Sequence, residues 1–150
     1  MCGIAGFIDS FLPNEEFLKS CGERMAKSIE HRGPNDSGVW IDKTFGICLA
    51  HKRLSIIDLS VSGHQPMISR SGRYVIVFNG EIYNHLEIRK EIDKYTNSLI
   101  SWNGSSDTET LLQAFEEFGL EKTLNICVGM FAFAIWDKKE KVLHLARDRF

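Results

Sequence analysis

No apolar run in this chain approaches the roughly 18 residues that a membrane-spanning helix needs. Met1–Ser10 also lacks the basic start of a signal peptide. These two absences point to a cytoplasmic protein with no membrane partner. There is no run of one charge sign either. The 18 Lys and Arg stand against 20 Asp and Glu, for a net charge of -2, so neither a nucleic-acid patch nor a polybasic membrane stripe is present. The four cysteines, Cys2, Cys21, Cys48 and Cys127, form no CxxC pair. That spacing gives no metal site, and disulfides would be unusual in the cytoplasm. Cys21, Cys48 and Cys127 stand among apolar residues and read as small buried hydrophobes. No internal repeat and no low-complexity linker divides the chain.

What is present suits one soluble domain. The 150 residues are 43% apolar and 25% charged, ordinary for a globular protein. A chain of that length buries roughly two-thirds of the surface it would expose when extended. Cys2–Ile8 reads as a first, largely buried strand. Leu18, Cys21, Met25 and Ile29 recur at helical spacing, which predicts an amphipathic helix over Phe17–Glu30. His31-Arg32-Gly33-Pro34-Asn35-Asp36 breaks it. Phe45–His51 alternates as a strand does, and Tyr74–Phe78 is rich in strand formers and runs into Asn79-Gly80. Asn84 can cap a helix through Asp93. Ser106-Asp107-Thr108-Glu109 resembles a capping box before Leu111, Leu112, Phe115 and Phe118, with Gly119 as the stop. Met130–Trp136 and Val142–Arg147 read as a hairpin around Asp137-Lys138-Lys139-Glu140. Helices come in blocks and do not alternate regularly with strands, so the fold class is α+β. Strands apolar on both faces call for stacked sheets with outer helices. The chain stops directly after a strand, which looks like a cut through a longer protein.

Four features carry chemistry, each with a plainer alternative. Cys2 becomes residue one if Met1 is excised, and then holds a thiol and a free α-amine together. With a pKa of about 7.7–8.0 that amine can exchange protons with the thiol. Otherwise Cys2 is an ordinary strand cysteine, although Gly3 and Gly6 leave room for a substrate backbone. Asn79-Gly80 is, taken alone, most often a type I′ hairpin turn; alternatively the Asn79 amide and the Gly80 N–H form an oxyanion hole. Arg53 is either a structural ion pair or a bidentate grip on a carboxylate. Asp107 is either the helix cap or the partner of an ammonium group. A clamp for carboxylate and ammonium describes an amino-acid site. A thiol and an oxyanion hole beside it describe hydrolysis of that amino acid's side-chain amide, for which glutamine fits.

Seven segments then carry a resemblance. They are Met1-Cys2-Gly3-Ile4-Ala5-Gly6, His31-Arg32-Gly33-Pro34, Ala50–Asp58, Phe78–Asn84, Ser106–Glu109, Gly129–Ala134 and Ala146–Phe150. In this order and nearly end to end, the chain resembles the glutaminase domain of asparagine synthetases and their class II amidotransferase relatives. The resemblance implies an N-terminal nucleophile (Ntn) hydrolase fold, a four-layer αββα sandwich, over residues 1–150. It implies that the domain is truncated before its last strands and that the synthetase domain is absent. It implies Cys2 as nucleophile and Asn79 and Gly80 as oxyanion hole. Arg53 binds the glutamine α-carboxylate and Asp107 the α-amino group, with Leu54, Ser55, Ile56, Ile57 and Glu81 completing the substrate site. His31-Arg32-Gly33-Pro34 reads as structural, and His31, His51, His64, His85 and His144 receive no role. The implied activity is glutamine to glutamate and ammonia through a Cys2 thioester, without a cofactor or metal in this domain. ATP and magnesium would serve only the missing synthetase domain, the partner that makes asparagine from aspartate; a homodimer is compatible with this. The alternatives are an amidotransferase for another acceptor, such as a surface-polysaccharide intermediate, and a non-catalytic glutamine-binding module.

Overall fold

A computed structural model describes residues 2–11, 14–54 and 61–149. Along the chain these form β1 (Gly3–Ile8), α1 (Glu15–Ser28), β2 (Asp36–Asp42), β3 (Ile47–Arg53), β4 (Met67–Ile68) and β5 (Tyr74–Ile82). They continue as α2 (His85–Thr96), α3 (Asp107–Phe118), α4 (Leu120–Ile126), β6 (Gly129–Asp137) and β7 (Val142–Arg147). The class is α+β. One antiparallel sheet has the order β1-β3-β2, the other β4-β5-β6-β7.

The period-2 alternation of β5 and β6 explains the packing. Tyr74, Ile76, Phe78, Phe133 and Ile135 point to one face and meet Ile88 and Ile92 of α2 and Leu111 and Phe115 of α3. Val75, Val77, Ala134 and Trp136 point to the other and meet Ile47 and Leu49 of β3. The two sheets therefore face each other across a second core. On the far side of β3, α1 comes close enough that a Cβ at Gly22 would collide with Cys48 and Val39. Each central strand is apolar on both faces because each is covered on both.

Several sequence expectations are corrected by tertiary contacts. α1 starts at Glu15, two residues before Phe17, and Asn14 caps it, its Oδ1 accepting from Phe17 N at 2.8 Å. The helix ends at Ser28, and Glu30–Arg32 tighten into a 3₁₀ turn before Gly33. β2 was not foreseen, since Val39, Trp40 and Ile41 are contiguous and do not alternate; pairing with β3 makes it a strand. Asn84 occupies the first cap of α2, yet its side chain is used elsewhere. It donates to Ile126 O at 2.8 Å and accepts from Val128 N at 2.9 Å. The capping box is half formed: Ser106 accepts from Thr108 N, but Glu109 accepts from Asn103 N and Gly104 N. Gly119 does end α3, with φ +77, and α4 starts at once beyond it. In the β6–β7 hairpin the Asp137 carboxylate accepts from Lys139 N, Glu140 N and, bidentately, from Arg73. Cys48 is buried, whereas Cys21 and Cys127 are only partly so, which corrects their reading as fully buried hydrophobes.

Candidate active site

Cys2 stands at the head of β1. Its Sγ lies 3.3 Å from Leu54 N and its carbonyl accepts from Arg32 Nε at 3.2 Å. Arg32 can reach it because Gly33 lets the His31–Pro34 loop rest on the backbone of Lys52 and Arg53, where a Cβ would collide. The loop thus fixes the Cys2 backbone. By contrast, burial pushes the Cys48 and Cys127 thiols up to about 11, which leaves them inert at neutral pH.

Asn79 and Gly80 do not form a turn. β5 runs straight through them, with Asn79 opposite Ala132 and Gly80 opposite Phe131. The hairpin-turn alternative is therefore overturned: Asn-Gly here serves a strand paired over nine residues. Gly80 has φ +156, and a Cβ there would strike the Met130 carbonyl oxygen, so the position excludes larger residues. In an antiparallel ladder, successive residues direct their N–H and C=O to opposite edges. Phe78 points away from β6, because its N–H donates to Gln65 Oε1 at 2.6 Å and its carbonyl meets His51 Nε2 at 3.1 Å. Ile82 N points the same way, donating to Asp107 Oδ2 at 2.9 Å. Phe131, opposite Gly80, is engaged on its other side, with Asp148. Gly80 N–H therefore points to the same outer edge as Phe78 and Ile82. β4 reaches that edge only at Val75 and Ile76. Asn79 faces the opposing sheet, and its buried Oδ1 has no hydrogen-bond partner among the described residues.

Arg53 ends β3, 8% exposed, and its guanidinium runs so close to Gly63 that any side chain there would overlap it. Its charge also acts on Asp36. Burial raises the Asp36 carboxyl, but the bonds from His64 and the Ser37 N–H, and least of all the charge of Arg53, bring it below its ordinary value. Asp107 is 7% exposed and is the first residue of α3, so the cap is Ser106 and the reading of Asp107 as helix cap is corrected. Its carboxylate instead ties α3 to β5 at Ile82.

Cys2, Arg53, Leu54, Asn79, Gly80, Glu81 and Asp107 line one cleft of about 150 Å³. That is well below the ~300–1,000 Å³ of pockets for drug-sized ligands, a scale suited to an amino acid. Ser55, Ile56 and Ile57 lie outside the described residues, as does Met1. Gly63, Gln65 and Met130 also line the cleft and were not singled out from the sequence. The glycine at 63 answers to a guanidinium that follows it in space and precedes it in the chain, and Gln65 sits in a polar loop without periodicity. His51 is fully buried; burial, outweighing the bond to Phe78, brings it down to about 4. Nε2 must carry the proton it donates to Phe78, which leaves Nδ1 buried and unpartnered among the described residues. No group of three or more His, Cys, Asp or Glu among those residues is arranged to hold a metal ion.

A strand-leading thiol, an edge N–H unpaired among the described residues and two buried charges of opposite sign in one small cleft are the arrangement of an enzyme site. Comparison with known proteins narrows this class. The family model for the glutamine amidotransferase domain matches residues 1–150, and the chain belongs to that family. It is 38% identical to "Putative asparagine synthetase [glutamine-hydrolyzing] 2" of Methanocaldococcus jannaschii, over 99% of this chain and 30% of that protein. It is 38% identical to "Asparagine synthetase [glutamine-hydrolyzing] 2" of Bacillus subtilis, over 100% of this chain and 19% of that protein. It is 36% identical to "Asparagine synthetase B [glutamine-hydrolyzing]" of Escherichia coli, over 99% of this chain and 25% of that protein. The chain thus spans less than a third of each of these relatives.

Proposed function

We propose that this chain hydrolyses glutamine to glutamate and ammonia, on the fold of an N-terminal nucleophile hydrolase, a four-layer αββα sandwich. The observation that carries the reading is the cleft itself, where Cys2 shares one small space with Gly80, Asn79, Arg53 and Asp107. Removal of Met1 frees the Cys2 α-amine. That amine takes the thiol proton, and the thiolate sulfur attacks the side-chain amide carbon. The carbonyl electron pair moves to oxygen, where the Gly80 N–H and the Asn79 side-chain amide stabilise the charge. The intermediate collapses, the ammonium of Cys2 returns its proton to the departing nitrogen, and ammonia leaves a thioester. Water cleaves the thioester to glutamate and restores the thiol. Arg53 holds the α-carboxylate and Asp107 the α-ammonium, with Leu54 and Glu81 at the amino-acid end.

None of these steps needs a metal or an organic cofactor in this domain. In a protein as long as the relatives, we propose that a synthetase domain receives the ammonia and uses ATP and magnesium to make asparagine from aspartate in the cytoplasm. The relatives' names favour aspartate over a polysaccharide precursor as acceptor. They also favour an enzyme over a binding module. The test is glutamine turnover with intact mass. An active preparation should lack Met1, and an electrophilic glutamine analogue should label Cys2 alone. Cys2→Ala should abolish turnover and leave the fold intact. Labelling at Cys21, Cys48 or Cys127 would sink the assignment.

A further inference from the structure

We infer that Gln65 is a positioning residue for the backbone donor at Gly80, an inference that rests on the proposed hydrolysis. β4 pairs with β5 only through Met67 with Ile76 and Ile68 with Val75. From Phe78 onward, side chains take the place of a paired strand on this edge among the described residues. Gln65 Oε1 accepts from the Phe78 N–H at 2.6 Å, His51 Nε2 donates to the Phe78 carbonyl at 3.1 Å, and Asp107 Oδ2 accepts from the Ile82 N–H at 2.9 Å. Gly80 lies midway between these anchors on the same edge. The Phe78 carbonyl shares a planar peptide with the Asn79 N–H, and Asn79 is held in the ladder with β6, so fixing Phe78 limits the swing of the Gly80 N–H that follows.

Of the three, Gln65 joins the Phe78 amide to α3 from the wall of the cleft. It is 5% exposed, and its Nε2 donates to Thr108 Oγ1 at 3.4 Å, on the residue after Asp107. One side chain therefore ties α3 to the Phe78 amide, while Asp107 ties the same helix to the Ile82 amide. The site's backbone donor is suspended between two such ties. Without Gln65, the Phe78 N–H is buried without a partner, and the edge must shift or admit water.

The test uses the intact protein. Gln65→Met keeps length and burial and removes the acceptor. It should lower kcat for glutamine about ten- to a hundredfold, less than the ~10²–10³-fold of deleting a donor outright. KM should stay within about twofold of wild type, since Arg53 and Asp107, the groups assigned to the amino-acid end, are both kept. Alkylation of Cys2 by iodoacetamide develops no oxyanion and should proceed at the wild-type rate. Thr108→Val releases Gln65 and removes the 3.5 Å bond to Asp107 Oδ1, so a several-fold loss in kcat is expected with KM kept, whereas Thr108→Ser, which keeps the hydroxyl, should match wild type; this pair decides the matter if Gln65→Met fails to fold. Wild-type kcat in Gln65→Met, a loss carried by KM alone, slowed alkylation of Cys2, or equal losses in the two Thr108 variants would overturn the inference. Each leaves the proposed hydrolysis standing. That reading fails separately, if the wild-type protein neither turns over glutamine nor is labelled at Cys2.

Discussion

β3 and β5 share a plan and end differently. In β3, Ile47, Cys48, Leu49 and Ala50 are followed by His51, Lys52 and Arg53; in β5, Tyr74 to Phe78 are followed by Asn79, Gly80 and Glu81. Both apolar halves are buried on both faces. The polar half of β3 is buried too, with Lys52 on Glu30 at 3.1 Å and Arg53 packed over Gly63. The polar half of β5 opens, with Gly80 and Glu81 exposed. The difference lies in the neighbours. β3 is flanked by β2 along its whole length and by β1 as far as Lys52, whereas β5 loses β4 after Ile76. Core burial in one half of a strand can thus hold the other half in register while its polar groups face a cleft. The two strands meet at this boundary, where His51 bonds to Phe78 across the sheets.

If the open half of β5 serves chemistry and the closed half serves stability, substitutions should separate the two. The largest effect is expected at Asn79. Asn79→Ala should lower kcat about 10²–10³-fold, near 2.7–4 kcal/mol, with little change in thermal midpoint. A change in stability alone would return Asn79 to a structural role.

At the boundary, His51 sharpens the comparison through pH. Its folded-state pKa is lowered from 6.5 to about 4, so between these values the unfolded chain binds a proton that the folded chain resists. Stability should be full above pH 6.5 and fall as pH drops toward 4, by about 3 kcal/mol in all. His51→Gln reaches as far as Nε2, keeps an N–H for the Phe78 carbonyl and should flatten that slope. Chemical denaturation from pH 7 to 4 measures it; an equal slope in both proteins would assign the acid sensitivity to other groups.

A smaller effect is expected at the polar end of β3 and its counterpart on α3. Arg53→Lys keeps the charge and loses the fork; Asp107→Asn keeps an acceptor for Ile82 N–H and loses the charge. Each should raise KM for glutamine about ten- to a hundredfold, roughly 1.5–3 kcal/mol, with a lesser loss of kcat. Steady-state kinetics check this. Unchanged KM in both would shrink the site to Cys2, Asn79 and Gly80.

The sequence by itself determined the α+β class, the two-faced burial of the central strands and the hairpin around Asp137, because apolar periodicity is local and survives in one dimension. Its motif order also carried the family. Only the tertiary structure decided what Asn79-Gly80 is. A dipeptide suited to a turn becomes strand when nine residues of β6 pair with it, and the energy of that ladder lies outside the dipeptide. The same holds for Asn84 and Asp107, whose side chains leave their own helices for Val128 and Ile82. Gly63 and Gln65 were silent in the sequence because their reasons for being there, a guanidinium and an edge amide, come from β3 and β5 and reach them only through space.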